Sequence, residues 1–131
     1  MSAEANKAIV TAMYDAYARS DAKGHFGHMS DDVKVTYFGS HRFSRTYHGK
    51  QDLFTNFIPH FVERLDGPID FRVKNIIAAD HCVAVEAQGT GRTKDGQEYN
   101  NFYCIVLRLE NGKVTEIREY MDTDLTKRIF G

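Results

Sequence analysis

The sequence predicts an α+β fold, with helices at the beginning of the chain and an antiparallel sheet built mainly from its second half. Apolar residues recur at helical spacing between Ala3 and Ser20, which is typical of an amphipathic helix. From Ile69 onward, strand-like alternation is interrupted by turn-forming pairs, Asp80-His81, Asp95-Gly96 and Asn111-Gly112. Successive antiparallel strands with helices gathered on one face define the α+β class.

Length and composition indicate an ordinary globular protein. The chain has 131 residues, enough for one hydrophobic core, and we expect a single domain over residues 1–131. The net charge of −1 provides no basic surface for nucleic acid or an anionic membrane, so neither is expected as a partner. The N-terminal segment lacks the apolar region of a signal peptide, and no apolar run is long enough to span a membrane. A cytoplasmic location is therefore expected.

The first half of the chain contains the predicted helices. On the first helix, Ala3 to Ser20, the apolar face consists of Ile9, Val10, Met13, Tyr14 and Tyr17. Ser20-Asp21 is expected to begin a second, short helix, with Phe26 and Met29 facing inward. A strand is expected over Val33–Phe38, and the polar segment Gly39–His48 is expected to be an irregular loop.

A third helix is expected to begin at Gly49. Its broad apolar stripe consists of Leu53, Phe54, Phe57, Ile58 and Phe61. Pro59 should kink this helix or mark a break near its end, because proline removes a backbone donor.

The second half of the chain is predicted to form four strands: Ile69–Ala79, Cys82–Thr93, Tyr99–Leu109 and Val114–Met121. On the first of these, one face should carry Ile69, Phe71, Val73 and Ile77, with Asn75 among them. Thr123 is expected to cap a last helical turn, Asp124–Phe130. Cys82 and Cys104 are expected to be reduced thiols in the core.

The turn at Asn111-Gly112 determines which residues of the last two strands share a face. A two-residue turn would place Glu110 opposite Lys113 and Cys104 opposite Glu119. The choice matters because a slip of one residue moves every side chain to the other face of the sheet.

We favour the alternative, a type I turn in which Gly112 forms a left-handed bulge. It places Tyr103 opposite Glu119, Ile105 opposite Ile117 and Asn101 opposite Met121. One face then carries Tyr103, Ile105, Leu107, Ile117 and Met121, with Glu119 as its only acid. An acid within an apolar wall is costly unless it has a partner or a function.

The pattern Y-N-N-F-Y…L-x-x-G-K-V…R-E-Y-M-D resembles the last two strands of SnoaL-like polyketide cyclases, in the nuclear transport factor 2-like superfamily. It is also similar to limonene epoxide hydrolase and the phenazine-biosynthesis A/B proteins, and the resemblance extends over nearly the whole chain. It implies a cystatin-like cone in which a curved antiparallel sheet wraps on N-terminal helices around an internal pocket. Glu119 matches the position of the catalytic acid in these families, which is Asp in the cyclases and the hydrolase and Glu in the phenazine proteins.

Several positions depart from the related enzymes. Glu86 and Gln88 stand where the epoxide hydrolases carry Arg and Asp, so that triad is incomplete and epoxide hydrolysis is disfavoured. Tyr14 resembles the ketosteroid isomerase tyrosine that holds an oxyanion, but Tyr37 and Ile105 replace the two Asp residues of that family. The pocket His of the cyclases also falls at Ile105, and Tyr17-Ala18 stands where scytalone dehydratases keep Tyr-Asp.

The candidate catalytic residues are Glu119, Glu86, Tyr14 and Tyr37. The candidate substrate-binding residues are Tyr17, Phe54, Phe57, Phe61, Asn75, Gln88, Asn101, Tyr103, Ile105 and Met121. If Glu86 and Glu119 face one cavity, they should share a proton near neutral pH. The alternative is an exposed Glu86 paired with Arg92 or Lys94.

The histidines provide no recognisable metal set. His25 and His28 are three residues apart, but no third ligand follows at a typical spacing, so no metal is expected. His48 could reach the pocket mouth or lie on the surface, and no role is assigned to His41. No phosphate-binding loop or nucleophile elbow is present, and no cofactor is expected.

Two functional hypotheses remain open. The first is a cofactor-free enzyme that isomerises, dehydrates or cyclises a small hydrophobic carbonyl compound, with Glu119 as acid and base. The second is a non-catalytic module of the same fold that binds a hydrophobic ligand or only dimerises. A homodimer is expected through the outer sheet face near Phe102, Val106 and Tyr120. The sequence does not name the substrate.

Overall fold

A computed structural model describes residues 2–131 and has an α+β fold, with N-terminal helices and a curved, unclosed six-stranded sheet. The helices are α1 (Ala3–Ala18), α2 (Ala22–Phe26), α3 (Gly49–Asn56), α4 (Ile58–Val62) and α5 (Thr123–Phe130). The strands are β1 (Met29–Tyr37), β2 (Arg45–His48), β3 (Asp70–Ala78), β4 (Cys82–Thr90), β5 (Asn101–Glu110) and β6 (Lys113–Met121). The predicted fold class is confirmed.

The strand order across the sheet is β2-β1-β6-β5-β4-β3. Neighbouring strands are antiparallel, as predicted, except that β1 runs parallel to β6. In this pair, β6 lies beside a strand from the beginning of the chain, and its other neighbour is β5, its hairpin partner. Helix α1 packs on β3 and β4, and α3 packs on β1, so the helices cover one face of the sheet.

The helical predictions hold with adjusted ends. Val10, Met13 and Tyr14 of α1 are buried, as their spacing predicts. The third predicted helix is two helices, because α3 ends at Asn56 and Pro59 lies in the first turn of α4. Proline is tolerated there because the first backbone N–H groups of a helix have no partner within it.

The segment predicted as an irregular loop, Gly39–His48, ends in strand β2, so that prediction is wrong for Arg45–His48. This strand pairs with β1, where Val35 lies opposite Tyr47. Tyr47 is buried, and its hydroxyl donates a hydrogen bond to the Phe43 carbonyl at 3.3 Å. Pairing with β1 stabilises a strand whose polar sequence gave little indication of one.

Strand β3 has a bulge at Lys74. Val73 lies opposite Ala87 and Asn75 lies opposite Glu86, so Lys74 is an extra residue without a partner on β4. A bulge of this kind changes which residues face the core. Phe71 is buried before the bulge, whereas Ile77 after it is 59% exposed. The predicted common face of Phe71 and Ile77 is therefore wrong.

The β5–β6 hairpin has a two-residue turn, in which Asn111 and Gly112 both have positive φ and Glu110 lies opposite Lys113. A bulge at Thr115 then shifts the register by one residue. Glu119 consequently lies opposite Ile105, which is neither predicted arrangement. The favoured turn is wrong, but its register differs from the observed one by two residues, and a shift of two keeps each side chain on its face.

Helix α5 is capped by Asp122, which accepts a hydrogen bond from the Leu125 amide at 3.2 Å, and not by Thr123 as predicted. The cysteine prediction is wrong in its placement. Cys104 is exposed on the outer face of β5, and Cys82 is only partly buried. No helix among residues 2–131 is long and apolar enough to cross a membrane.

Candidate functional site

A cavity of about 530 Å³ lies between the helices and the sheet. Its wall is largely aromatic and includes Tyr14, Tyr17, Tyr37, Phe57, Phe61 and Tyr103. Several of these rings form stacked pairs. Tyr37 stacks on Phe57, with ring centroids 4.5 Å apart. Tyr14 lies on Phe71 in the same way, at 5.5 Å. An apolar cavity with a few convergent polar groups is the usual form of a small-molecule site.

Exposed residues that also line the cavity mark its opening. On one side they are Ser20 and Asp21, in the link between α1 and α2, and Ala22, the first residue of α2. On the other side they are Val62, the last residue of α4, and Gly67 and Pro68, between α4 and β3. A small molecule therefore has a route from solvent to the interior.

Glu119 of β6 contributes a carboxyl group to the cavity wall. In the sheet it lies between Tyr37 of β1 and Ile105 of β5, both of which are buried. Glu119 is partly accessible, although it lies deep in the molecule, and it lines the cavity. No Lys, Arg or His nitrogen among residues 2–131 forms an ion pair with it.

The surroundings of Glu119 favour its neutral form. Burial raises the pKa of Glu119 to about 7, and hydrogen bonding by the Tyr37 hydroxyl opposes the rise. A carboxyl group with a pKa near the working pH can both accept and return a proton. Perturbed acids of this kind are concentrated at functional sites.

The cavity tyrosines remain protonated donors. Burial, and after it the charge of Glu119, raise the pKa of Tyr14 and Tyr37 well above the ordinary value. The same causes raise the pKa of Tyr17 to about 12. Their hydroxyls can therefore donate hydrogen bonds to a ligand oxygen at any physiological pH.

We expect the pKa of Glu119 to make stability pH-dependent. Between pH about 4.5 and 7 the folded chain holds a proton that the unfolded chain releases, so stability should fall as the pH rises through this window. Glu119→Gln removes this effect. The gain in unfolding free energy from Glu119→Gln should therefore be larger at pH 7.5 than at pH 4.5, by on the order of 3 kcal/mol.

Urea unfolding at the two pH values measures this difference. The matched control is Glu86→Gln, the same substitution on the outer face, which should change stability by less than about 0.5 kcal/mol at both pH values. A gain from Glu119→Gln that is equal at both pH values would contradict the prediction.

Most of the residues predicted for the site do line this cavity. They are Glu119, Tyr14, Tyr37, Tyr17, Phe57, Phe61, Tyr103, Ile105 and Met121. They come from both ends of the chain, and the parallel pairing of β1 with β6 brings Tyr37 beside Glu119.

Five of the predicted residues do not line the cavity: Glu86, Asn75, Gln88, Phe54 and Asn101. Glu86 is exposed on the outer face of the sheet and accepts a hydrogen bond from the Asn75 amide at 3.0 Å. The two carboxyl groups do not face one cavity, so the condition for a shared proton is not met. Glu86 is exposed, as in the alternative, but its hydrogen-bond partner is Asn75 and not Arg92 or Lys94. Gln88 is exposed on the same face, because Val85 and Ala87 of β4 point inward. Phe54 is 40% exposed and does not line the cavity, although its ring packs on that of Phe26, which does.

Asn101 is buried, but it serves the framework and does not line the cavity. Its amide donates to the Tyr99 hydroxyl at 3.1 Å and to the Thr126 hydroxyl at 3.2 Å. Its oxygen accepts from the amides of Phe102 and Asp122, at 2.8 and 3.0 Å. These bonds join β5, the end of β6 and α5.

Sequence reasoning missed two histidines and several rings in the cavity wall. His25, His41, Phe43, Phe71 and Tyr99 all line it. Phe43 lies in a polar segment, and nothing in that segment indicated the turn that buries it. His48, considered for the pocket mouth, is exposed and does not line the cavity. Among residues 2–131, no group of three or more His, Cys, Asp or Glu side chains is arranged to hold a metal ion.

Solved structures place this architecture among the nuclear transport factor 2-like proteins. Bal32a, from a soil-derived mobile gene cassette, superposes with a TM-score of 0.86 at 21% identity, covering 98% of each chain. A nuclear transport factor 2-like protein from Burkholderia xenovorans superposes at 0.80 with 25% identity, over 100% of this chain and 99% of its own. A putative SnoaL-like polyketide cyclase from Jannaschia superposes at 0.80 with 17% identity, over 97% and 92%.

The sequence profile of the SnoaL-like domain matches residues 10–117. The chain therefore belongs to the SnoaL-like domain family, and the resemblance noted in the sequence is confirmed. A comparison with curated proteins gave no significant match.

Proposed function

We propose that the cavity binds a small, largely apolar carbonyl compound and that Glu119 transfers a proton at the carbon next to the carbonyl. The observation that carries the proposal is the buried carboxyl group of Glu119, with a pKa of about 7, in an aromatic cavity beside the Tyr37 hydroxyl. The aromatic wall suits an apolar substrate, and the absence of a paired cation among the described residues leaves Glu119 available for proton transfer.

In the proposed step, the ionised Glu119 takes the proton from the α-carbon. The electron pair of the broken C–H bond moves into the carbonyl group, which becomes an enolate. The Tyr14 hydroxyl donates a hydrogen bond to the enolate oxygen, which lowers the barrier most effectively where water is excluded. The Tyr37 hydroxyl donates to Glu119 while that carboxylate is ionised, and its single hydrogen becomes free to turn to the enolate once Glu119 carries the proton. Glu119 then returns the proton to the product. Isomerisation, dehydration and aldol-type cyclisation can all begin with this step, and none of them requires a cofactor.

Solvent-deuterium exchange tests the proposed proton transfer. 2-Tetralone, a bicyclic ketone, is incubated with the protein in D₂O, and loss of its α-hydrogen signals is followed by proton NMR. The proposal expects exchange that is faster than in buffer and saturates with ketone concentration. Binding of the ketone without faster exchange would instead support the alternative.

The alternative is a non-catalytic module in which the same cavity only holds a hydrophobic ligand. The apolar character of most of the wall favours this function, because the cavity contains few polar groups besides Glu119 and the tyrosines. The two functions share the binding step and differ only in proton transfer, so the exchange experiment separates them.

We also infer that two copies associate through the outer face of the sheet. Phe102 is 63% exposed and Tyr120 is 44% exposed, and Phe38 stacks on Tyr120 with centroids 4.7 Å apart. Contiguous exposed apolar residues of this kind mark interaction surfaces.

Light scattering at micromolar concentration should therefore give about twice the 15.0 kDa chain mass, and Phe102→Asp should reduce it to the monomer value. Phe54→Asp, which adds the same charge to an exposed helix ring, is the matched control and should leave the dimer intact. A monomeric wild type would contradict the inference.

A further inference from the structure

His25 is a further polar residue of the cavity wall, contributed by α2. The residue is only 6% exposed, and its ring is held among aromatic neighbours. Its centroid lies 5.0 Å from that of Tyr17 and 4.9 Å from that of Phe26. The ring therefore has a fixed orientation.

The hydrogen bond of His25 to the backbone defines its tautomer. Nδ1 lies 2.9 Å from the carbonyl oxygen of Met13 in α1. A carbonyl oxygen can only accept, so Nδ1 carries the hydrogen and Nε2 has the free lone pair of a neutral imidazole. Burial lowers the pKa of His25, which keeps the ring neutral.

Nε2 has no hydrogen-bond partner among residues 2–131. Among these residues, the only side-chain polar atom that has no partner and is inaccessible to solvent is Asn6 Oδ1, so Nε2 retains some accessible surface. Because Nδ1 is directed at α1, the opposite edge of the ring, which carries Nε2, is directed away from that helix. Nε2 is therefore an acceptor that reaches accessible surface in a residue lining the cavity.

Two other polar side chains of the wall, those of His41 and Asp21, are already engaged. His41 Nε2 donates to the Phe38 carbonyl at 3.2 Å, and its Nδ1 accepts from the Phe43 amide at 3.1 Å. Asp21 accepts from the Gly24 amide at 2.9 Å and caps α2. The tyrosines supply donors, so His25 Nε2 complements them as an acceptor near the mouth residues that begin α2.

The geometry points to His25 Nε2 as a ligand-binding acceptor that selects carbonyl compounds bearing a hydroxyl group on an aromatic ring. The ligand hydroxyl would donate to Nε2. The aromatic ring of the ligand would lie among Tyr14, Tyr17 and Phe26, which pack against the imidazole, and Phe71, which stacks on Tyr14. The inference rests on the proposed function, since it assigns the substrate class of the same cavity.

The test compares 2-tetralone with 6-hydroxy-2-tetralone, which adds a single phenolic hydroxyl. Isothermal titration calorimetry of the wild type should show the hydroxylated ketone binding roughly tenfold more tightly, the effect of about one net hydrogen bond. His25→Asn places an amide near the Nδ1 position, which retains a donor for Met13 and removes the acceptor. It should bind both ketones with the affinity of the wild type for 2-tetralone.

His25→Gln provides the matched control, because its longer side chain places an amide oxygen near the Nε2 position. It should restore a preference for the hydroxylated ketone, which a purely structural role of His25 would not predict. Equal affinities of the wild type for the two ketones, or an unchanged preference in His25→Asn, would overturn the inference and leave the proposed function intact. Failure of the wild type to bind either ketone would overturn both.

Discussion

Glu119→Gln should reduce the rate of α-hydrogen exchange about 10²- to 10⁴-fold, the usual cost of losing a general acid or base. Gln has nearly the same shape and can donate or accept a hydrogen bond, but it cannot accept a proton from carbon at neutral pH. The affinity for 2-tetralone should change little, because the aromatic wall that binds the ketone remains. A fall in rate at constant affinity would locate the effect in the chemical step.

The pH dependence of exchange provides a second readout. Because ionised Glu119 is the proposed base, the wild-type rate should rise with pH up to about 7 and level off above it. Glu86→Gln is the control, since it makes the same substitution on the outer face, and its rate should equal that of the wild type. Wild-type exchange rates in Glu119→Gln would eliminate Glu119 as the base and favour the binding module.

Asn101→Ala should lower the unfolding free energy by about 3 kcal/mol and the melting temperature by roughly 10 °C. The substitution leaves the backbone amides of Phe102 and Asp122 without their bonds to Asn101 Oδ1, at 2.8 and 3.0 Å. It also removes one of the two partners of the buried Tyr99 hydroxyl, which keeps its bond to the Thr126 hydroxyl at 3.0 Å. Unpaired buried polar groups cost more than the bonds themselves contribute, because they have also lost their hydration.

Asn100→Ala is the matched control for this effect. Asn100 is the preceding residue, of the same type, but it is exposed, so its replacement should change stability by less than about 0.5 kcal/mol. Thermal unfolding followed by circular dichroism measures both variants. Similar melting temperatures for Asn100→Ala and Asn101→Ala would show that the buried network is not a significant part of the stability.

The cavity face of β6 could be predicted because alternation in a strand is a local property. Ile117, Glu119 and Met121 are two residues apart along one strand, so they share a face whatever its pairing. The wrong turn still placed them on the correct face, because its register differs from the observed one by two residues. The cross-strand partner of Glu119 was not predictable in this way. The bulge at Thr115 belongs to a strand that must pair with both β5 and β1, and the β1 partner is remote in the sequence.

Glu86 shows the limit of local patterns. Its segment, VAVEA, is apolar on both sides of the acid, so alternation alone did not reveal which face carries Glu86. Burial of Val85 and Ala87 against the helices decided the matter and left Glu86 outside. His25 and Phe43 were missed for a related reason, since short helices and polar loops have no repeat long enough to define an inward face.

The sequence by itself determined the α+β class, the helices at the start, the hairpins near the end and the side of β6 that carries Glu119, because these depend on periodicity and turn residues that lie close together in the chain. Only the tertiary structure decided the parallel pairing that brings Tyr37 beside Glu119, the bulges at Lys74 and Thr115, and the cavity wall that includes His25. These features depend on contacts between distant segments, whose geometry is set when the sheet curves around the helices.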